Sequence, residues 1–217
     1  LPAFAALVAQ PLFLLADTAI VGHLGSPSLA GLGIGATITS TIVGLCIFLA
    51  YGSTAVVARL LGSGQRARAL ELGIQAMWLA LALGIIIGLV VWLAAPLIAS
   101  WLGATGEVHG HAVAYARWSL PGMPGMLLML SATGTLRGLA DARTPLVLAV
   151  SAAVINVVLD VVLVFGVGMG IAGSGAATAI AETAMGGIAA WVVAQGARRA
   201  GASLAPDGWG MRHSLNV

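Results

Sequence analysis

The sequence predicts an all-α membrane protein built as a bundle of six transmembrane helices. Hydrophobic residues make up 60% of the 217 residues, and the mean hydropathy is +1.06. Only 7% of the residues are charged, whereas a soluble domain carries about 25%, because a solvated surface needs polar side chains. This composition excludes a water-soluble globular domain, and it excludes a disordered chain for the same reason.

Charged residues separate apolar segments that are long enough to cross a bilayer, which takes about 20 residues. No charged residue occurs between Asp17 and Arg59, or between Glu71 and Glu107. Glycine and proline positions supply the remaining boundaries. The sequence therefore predicts six spans, at residues 2–22, 29–55, 71–94, 112–136, 145–165 and 174–196.

Individual spans carry further signals. The first opens on the apolar run 1–16, which lacks the basic leader and the small-residue cleavage site of a signal peptide. The fourth contains Pro121 and Pro124, each of which frees a backbone carbonyl and can bend the helix. The last span ends near residue 200. Residues 1–200 are thus predicted to form one unit, and the polar residues 201–217 a cytoplasmic tail or the start of a linker.

The arginines predict the orientation of the bundle. Eight of the nine fall on alternate loops and the tail, which the positive-inside rule places in the cytoplasm. We expect a multi-pass protein of the inner (plasma) membrane with both ends of this sequence cytoplasmic. Arg117, near the outer end of the fourth span, is the exception and is expected to snorkel to the interface. Because the arginines are scattered, they form no basic groove for nucleic acid.

Acids fall inside three predicted spans, with Asp17 in the first, Asp160 in the fifth and Glu182 in the sixth. An acid in the hydrocarbon layer costs about 2.5–3.5 kcal/mol on insertion scales, so such residues are rare. Asn156 precedes Asp160 by four residues and shares its helix face. In the sixth span, Thr178 and Glu182 share a face in the same way. These polar stripes must face protein or water rather than lipid.

The acid pair has two readings. The groups could pair with each other or with backbone and so fix helix packing. Alternatively, because neither span supplies a lysine or arginine at similar depth, the two carboxylates would repel unless they share a cation. Sharing of that kind is typical of a proton or cation carrier, which is the reading we favour for Asp17 and Asp160. Tyr115, one turn into the fourth span, is either an interfacial anchor or part of a cavity.

Several segments in this order, spacing and topology resemble a known family. The segments are 11–25, 52–59, 62–64, 137–145, 156–160 and 173–178. The strongest is Asn156-Val-Val-Leu-Asp160. Together they resemble the multidrug and toxic compound extrusion (MATE) family, and within it the bacterial DinF-like branch.

The resemblance implies one lobe of a twelve-helix transporter made of two six-helix lobes. This chain would be the N-terminal lobe, and we expect the C-terminal lobe, its partner, to be absent from it. The family exports cationic, lipophilic compounds in exchange for H⁺ or Na⁺. The resemblance therefore implies a secondary transporter rather than an enzyme, with a small cationic substrate, the lipid bilayer as its surroundings, and no cofactor beyond the coupling ion.

The resemblance also implies a cation- or proton-binding site. Its residues would be Asp17, Asn156, Asp160, Thr178 and Tyr115, with the first four as the possible Na⁺ ligands and no other metal site. Pro2 matches the proline near which the first helix of the family bends. Glu182 is a further candidate for the cavity or its gate.

Three alternatives stay open. Flippases of lipid-linked sugar precursors share the fold, but they tend to have cationic cavities, whereas the intramembrane charges here are acidic. An intramembrane hydrolase would need a Gly-x-Ser-Gly segment, which Gly173-Ser174-Gly175 matches only in part, and a membrane-embedded histidine, which no span contains. The third alternative is a structural half that assembles with another subunit.

Overall fold

The computed structural model describes residue 15 and residues 17–206, and within these residues it contains helices and no β-strand. Helix α1 covers residues 17–22, so most of the predicted first span lies outside the described residues. The other helices are α2 (Ser26–Leu45), α3 (Phe48–Gly62), α4 (Arg66–Trp101), α5 (Gly106–Ser119), α6 (Met123–Gly138), α7 (Arg143–Asp160) and α8 (Ile171–Arg199). The predicted all-α bundle is thereby confirmed.

Four helical segments are long and apolar enough to cross a membrane among the residues described. They are Ser26–Gly62, which joins α2 and α3, then Arg66–Trp101, Arg143–Gly166 and Ile171–Arg199. The helices extend past the predicted spans because those spans counted apolar residues alone. Helix α4, for example, has 36 residues and continues beyond the predicted 71–94 at both ends.

The predicted fourth span, 112–136, is two helices rather than one. Helix α5 ends at Ser119, a 3₁₀ turn covers Leu120–Gly122, and α6 begins at Met123. Pro121 lies in the turn and Pro124 in the first turn of α6. Each proline lacks a backbone N–H and collides with the preceding turn, so two prolines three residues apart end one helix and start the next.

Most arginines lie at one end of the bundle, which we call the arginine-rich end. It carries Arg59, Arg66, Arg68, Arg137, Arg143, Arg198 and Arg199, all at or next to helix ends. Just inside it lies the apolar core, a buried cluster on α4, α6, α7 and α8. Its members are Leu70, Ile74, Met77, Ala132, Leu136, Leu148, Ala152, Met185, Ala189, Val193 and Ala197.

The segment after α8 folds back onto α4 beside this core. The side chain of Gln75, which is buried, donates a hydrogen bond to the carbonyl of Ala205 at 2.7 Å. The indole of Trp78 donates to the carbonyl of Leu204 at 3.0 Å. Residues 202–205 are therefore anchored to the bundle as they leave α8.

Helices α6 and α8 approach backbone to backbone. A Cβ atom built on Gly186 would collide with the carbonyl of Gly125, and one on Gly122, in the turn just before α6, would lie 2.6 Å from Cα of Ala179. Small residues at such a contact let helices pack without intervening side chains, which is the usual way that membrane helices associate. This contact fixes the position of α8, which carries part of the polar cluster described next.

Candidate functional site

A buried carboxyl group near the start of α1 contacts a serine on α8. Asp17 is 1% exposed, and the hydroxyl of Ser174 donates a hydrogen bond to its Oδ1 at 2.7 Å. Asp160, at the end of α7, is 0% exposed and close enough to Asp17 and Ser174 to interact with both. Two buried acids from different helices therefore lie near one hydroxyl group.

Asn156 and Thr178 extend this group along α7 and α8. With its amide nitrogen toward Asp160, Asn156 donates to Oδ2 at 2.9 Å, and its oxygen accepts from the backbone N–H of Thr178 at 3.1 Å and from the Thr178 hydroxyl at 3.3 Å. The reverse orientation would place the amide oxygen against the carboxylate, so the neighbours decide the orientation. We call Asp17, Asn156, Asp160, Ser174 and Thr178 the polar seam.

One oxygen of the polar seam lacks a donor. Oδ1 of Asp160 is buried and accepts no hydrogen bond in the part of the chain that the structure describes. A buried acceptor without a partner is costly. The arginine of α7, Arg143, lies 17 residues away at the other end of the helix, about 26 Å along its axis. A proton or cation between Asp17 and Asp160 would satisfy this oxygen and remove the repulsion of the two carboxylates.

Tyr115 is held beside the polar seam by two glycines. It is 3% exposed. A Cβ atom on Gly35 would lie 2.6 Å from its Cδ1, and one on Gly175 would lie 2.6 Å from its backbone oxygen. Tyr115 lies near Thr178 and within electrostatic range of Asp17, Asp160 and Glu182. Its side chain is therefore buried next to the polar seam.

An irregular backbone follows Asp160 directly. Residues Val161–Gly166 form a π-helical turn, and Gly168 and Gly170 have positive φ of 77° and 57°, which favour glycine. The reversal returns the chain so closely that a Cβ on Gly173 would lie 2.8 Å from the carbonyl carbon of Leu163. The next residue is Ser174. The tight reversal thus brings α8 against the end of α7, and π turns of this kind occur often at functional sites.

The structure brings most of the predicted site residues together. Asp17, Asn156, Asp160 and Thr178 belong to the polar seam, and Tyr115 lies against it. Glu182 is half-buried, one helical turn beyond Thr178 on α8. Pro2 lies outside the described residues.

Ser174 is the residue that sequence reasoning missed. It lies in the run Gly173-Ser174-Gly175-Ala176, whose small residues indicate close helix packing. Its spacing was nevertheless informative, because it precedes Thr178 by four residues and so shares its face. Ser174 is 0% exposed and donates the hydrogen bond that holds Asp17.

Fold and site together define a membrane-embedded helical bundle with two carboxyl groups that can share a proton or cation. The described residues contain no cluster of three or more His, Cys, Asp or Glu side chains that could hold a metal ion. The oxygen groups of the polar seam suit a proton or a hard monovalent cation instead.

Comparison with known proteins identifies the family. The MatE family model matches residues 2–162, and the chain belongs to this family. The predicted resemblance to a MATE-type N-terminal lobe is confirmed. Members of the family are transporters and not enzymes.

Three similar proteins illustrate the relation. DNA damage-inducible protein F of Escherichia coli K12 is 35% identical over 85% of this chain and 40% of its own length. The probable multidrug resistance protein NorM of Thermotoga maritima is 29% identical over 89% of this chain and 42% of its own. The solved outward-facing structure of a multidrug resistance MATE transporter of the MOP superfamily is 27% identical, with a TM-score of 0.88 over 100% of this chain and 49% of that one. The chain thus spans about two-fifths of the length of these curated relatives.

Proposed function

We propose that this chain is the ion-coupling lobe of a secondary transporter that exports cationic, lipophilic compounds in exchange for H⁺ or Na⁺. The observation that carries the proposal is the burial of Asp17 and Asp160 near each other, with Oδ1 of Asp160 lacking a donor in the described residues. Family membership supports a transporter, and the multidrug names of the relatives support the class of substrate. A C-terminal lobe would supply the other wall of the cavity.

The donor set favours the proton over sodium as the coupling ion. Asn156 presents its nitrogen, not its oxygen, to Asp160, and the hydroxyl of Ser174 points its hydrogen at Asp17. In this arrangement the two carboxylates are the main free oxygens, whereas a hard metal cation prefers a shell of several oxygen ligands. A single proton held between the two carboxyl groups needs no further ligand.

The proposed mechanism depends on a change of charge at the polar seam. A proton that enters from the outside neutralises one carboxylate, removes the repulsion between α1 and α7, and gives Oδ1 of Asp160 a partner. Loss of negative charge weakens the hold on a cationic substrate, which is then released outward. One charge moving down a potential of 100 mV supplies about 2.3 kcal/mol. That free energy biases a two-state equilibrium by about fiftyfold.

The proposal also assigns a role to Glu182 and an orientation to the lobe in the membrane. Glu182 is half-buried on the face of α8 that carries Thr178, so it is placed to line the cavity on the side of the arginine-rich end. The positive-inside rule puts that end in the cytoplasm, and the substrate would reach Glu182 before it reaches the polar seam. The membrane would be the inner membrane.

The test uses everted membrane vesicles that contain the complete protein. A fluorescent cationic dye reports the transport. We expect dye movement under an imposed proton gradient and none under a sodium gradient. Asp160→Asn should abolish the movement, because the amide cannot take up a proton, while the amount of inserted protein stays the same.

Glu107→Gln is the matched control, because it removes a carboxylate from the first turn of α5, outside the polar seam, and should leave transport unchanged. Normal dye export by a well-inserted Asp160→Asn variant would overturn the role of the polar seam. Dye movement driven by sodium alone would overturn the choice of ion.

A further inference from the structure

Arg117 is separated from the other arginines that the structure describes. Arg117 lies on α5, in the part of the bundle away from the arginine-rich end, and it is exposed. Its guanidinium lies over the ring of Trp92 of α4, 5.0 Å from the ring centroid. A cation over an indole face is a stabilising arrangement, but it uses none of the five N–H donors of the guanidinium.

The indole is fixed in place by the same helix that carries the arginine. Nε1 of Trp92 donates a hydrogen bond to the backbone carbonyl of Arg117 at 3.1 Å. The ring is therefore anchored at its nitrogen and presents its face to the guanidinium. Trp118, the next residue on α5, is 50% exposed.

The depth of this pair corresponds to a membrane interface. Arg68 of α4, at the arginine-rich end, precedes Trp92 by 24 residues, which is about 36 Å along the helix. Since the hydrocarbon layer is about 30 Å thick, Trp92 lies at the opposite side of this layer, where tryptophans are enriched.

No carboxylate of α4 or α5 is available to Arg117 at this depth. The acid of α5, Glu107, is ten residues away, about 15 Å along the axis, and the acid of α4, Glu71, is 21 residues from Trp92, about 32 Å. The neighbouring exposed residues of α4 are Leu89, Val90 and Leu93, which form a surface suited to acyl chains.

We propose that Arg117 and Trp92 form a binding site for the phosphate group of an anionic phospholipid in the leaflet away from the arginine-rich end. The guanidinium binds the phosphate through paired N–H donors. The anchored indole holds the guanidinium at headgroup depth, and the lipid chains lie along Leu89 and Leu93. The site is separate from the polar seam and independent of the coupling ion.

The test measures binding of dioleoylphosphatidylglycerol to the complete protein by native mass spectrometry. We expect Arg117→Gln to weaken binding of the first lipid about fivefold, which corresponds to about 1 kcal/mol for one basic residue at an anionic surface. Trp92→Phe, which keeps a ring but loses the anchoring N–H, should weaken it as well. Arg59→Gln, at the arginine-rich end, is the matched control and should leave this first site unchanged.

A second measurement does not depend on the stability of the arginine variant. Brominated phosphatidylglycerol should quench the fluorescence of Trp92, read as the difference between the wild type and Trp92→Phe, more strongly than brominated phosphatidylcholine does. Equal quenching by the two lipids would overturn the proposal, as would equal losses for Arg117→Gln and Arg59→Gln. Displacement of the lipid by millimolar inorganic phosphate would show a free-phosphate site and overturn the lipid assignment.

Discussion

The polar seam and the apolar core are built largely on the same pair of helices, yet they are held by different forces. At the polar seam, α7 and α8 meet through Asn156 and Thr178, beside the carboxyl of Asp160. In the apolar core the same helices meet through residues such as Ala152 and Met185, which make van der Waals contacts. Under the proposed proton coupling, contacts of the first kind would change when a proton binds, whereas contacts of the second kind would not.

This difference suggests how one lobe can be both stable and responsive. The apolar core fixes α7 and α8 to α4 and α6 near the arginine-rich end. A change of charge at the polar seam acts further along the same helices, next to the π-helical turn Val161–Gly166 that interrupts the regular backbone. Under the proposed coupling, the end of α7 and α8 at the apolar core would be the fixed base, and the end at the polar seam would be the part that moves.

The largest expected effect comes from the fixed base. Gly186→Val places a side chain against the carbonyl of Gly125, where backbone cannot give way. We expect the free energy of unfolding to fall by about 3 kcal/mol or more, which is the upper end of the usual cost of overpacking a buried site. Thermal unfolding in detergent, followed by cysteine-reactive dye at Cys46, measures this loss.

Its control is the next residue along the helix. A Cβ on Gly187 meets nothing within 4 Å, so Gly187→Val should leave stability unchanged or raise it by a few tenths of a kcal/mol, since valine is the better helix former. Equal destabilisation by the two variants would contradict the backbone contact of α6 and α8.

An intermediate effect separates stability from function. Ser174→Ala removes the hydrogen bond to Asp17, and interhelical hydrogen bonds in membranes are worth about 0.6 kcal/mol on average. We therefore expect a small loss of stability but a severalfold loss of proton-driven dye transport, measured in the same vesicles.

Leu70→Ala should behave in the opposite way. Leu70 is 1% exposed in the apolar core, and truncation of a buried leucine costs about 2–5 kcal/mol. The remaining folded protein should keep its proton dependence. If Leu70→Ala altered the proton dependence as much as Ser174→Ala does, the two regions would not be functionally distinct.

The smallest effect lies outside the membrane, at the start of α7. Burial works against the charge of Asp141, but hydrogen bonds from the Thr144 hydroxyl at 2.6 Å and from the backbone N–H groups of Thr144 and Arg143 hold the pKa of Asp141 below its usual value. Its stabilising contribution is therefore present above the ordinary pKa of about 3.9 and is lost as the pH falls through the lowered pKa.

We expect Asp141→Ala to lower stability near neutral pH by about 1 kcal/mol, as loss of a helix cap does. The difference from the wild type should shrink when the pH falls below about 4. Unfolding temperatures measured from pH 7 to pH 3 give the comparison. Asp141→Asn keeps an acceptor oxygen and should lose the pH dependence only; a pH-independent gap for Asp141→Ala would contradict the role of the charge.

Sequence reasoning reached the residues whose chemistry is unusual for a membrane. Asp17 and Asp160 stand out because acids are costly in hydrocarbon, and Asn156 follows from helical spacing. The apolar, weakly charged composition was likewise enough for the all-α membrane fold.

The remaining features depend on contacts between helices. Ser174 has no unusual chemistry, and its role comes from its distance to Asp17 on a helix far away in the sequence. The helix break at Leu120–Gly122 could not be predicted from the sequence pattern either. Pro121 and Pro124 could bend a helix or end it, and tertiary packing decides which. Pairing of Trp92 with Arg117 depends in the same way on the register of α4 against α5.

The most direct measurement is proton release on substrate binding. Purified protein in a weakly buffered solution receives a cationic dye, and a pH indicator follows the protons set free. If Asp17 and Asp160 share a proton that the cation displaces, the wild type should release about one proton for each dye molecule bound, because each protein has one such shared site. Asp160→Asn should release none while it still folds. Dye binding without proton release by the wild type, or unchanged release by Asp160→Asn, would contradict a shared proton at the polar seam.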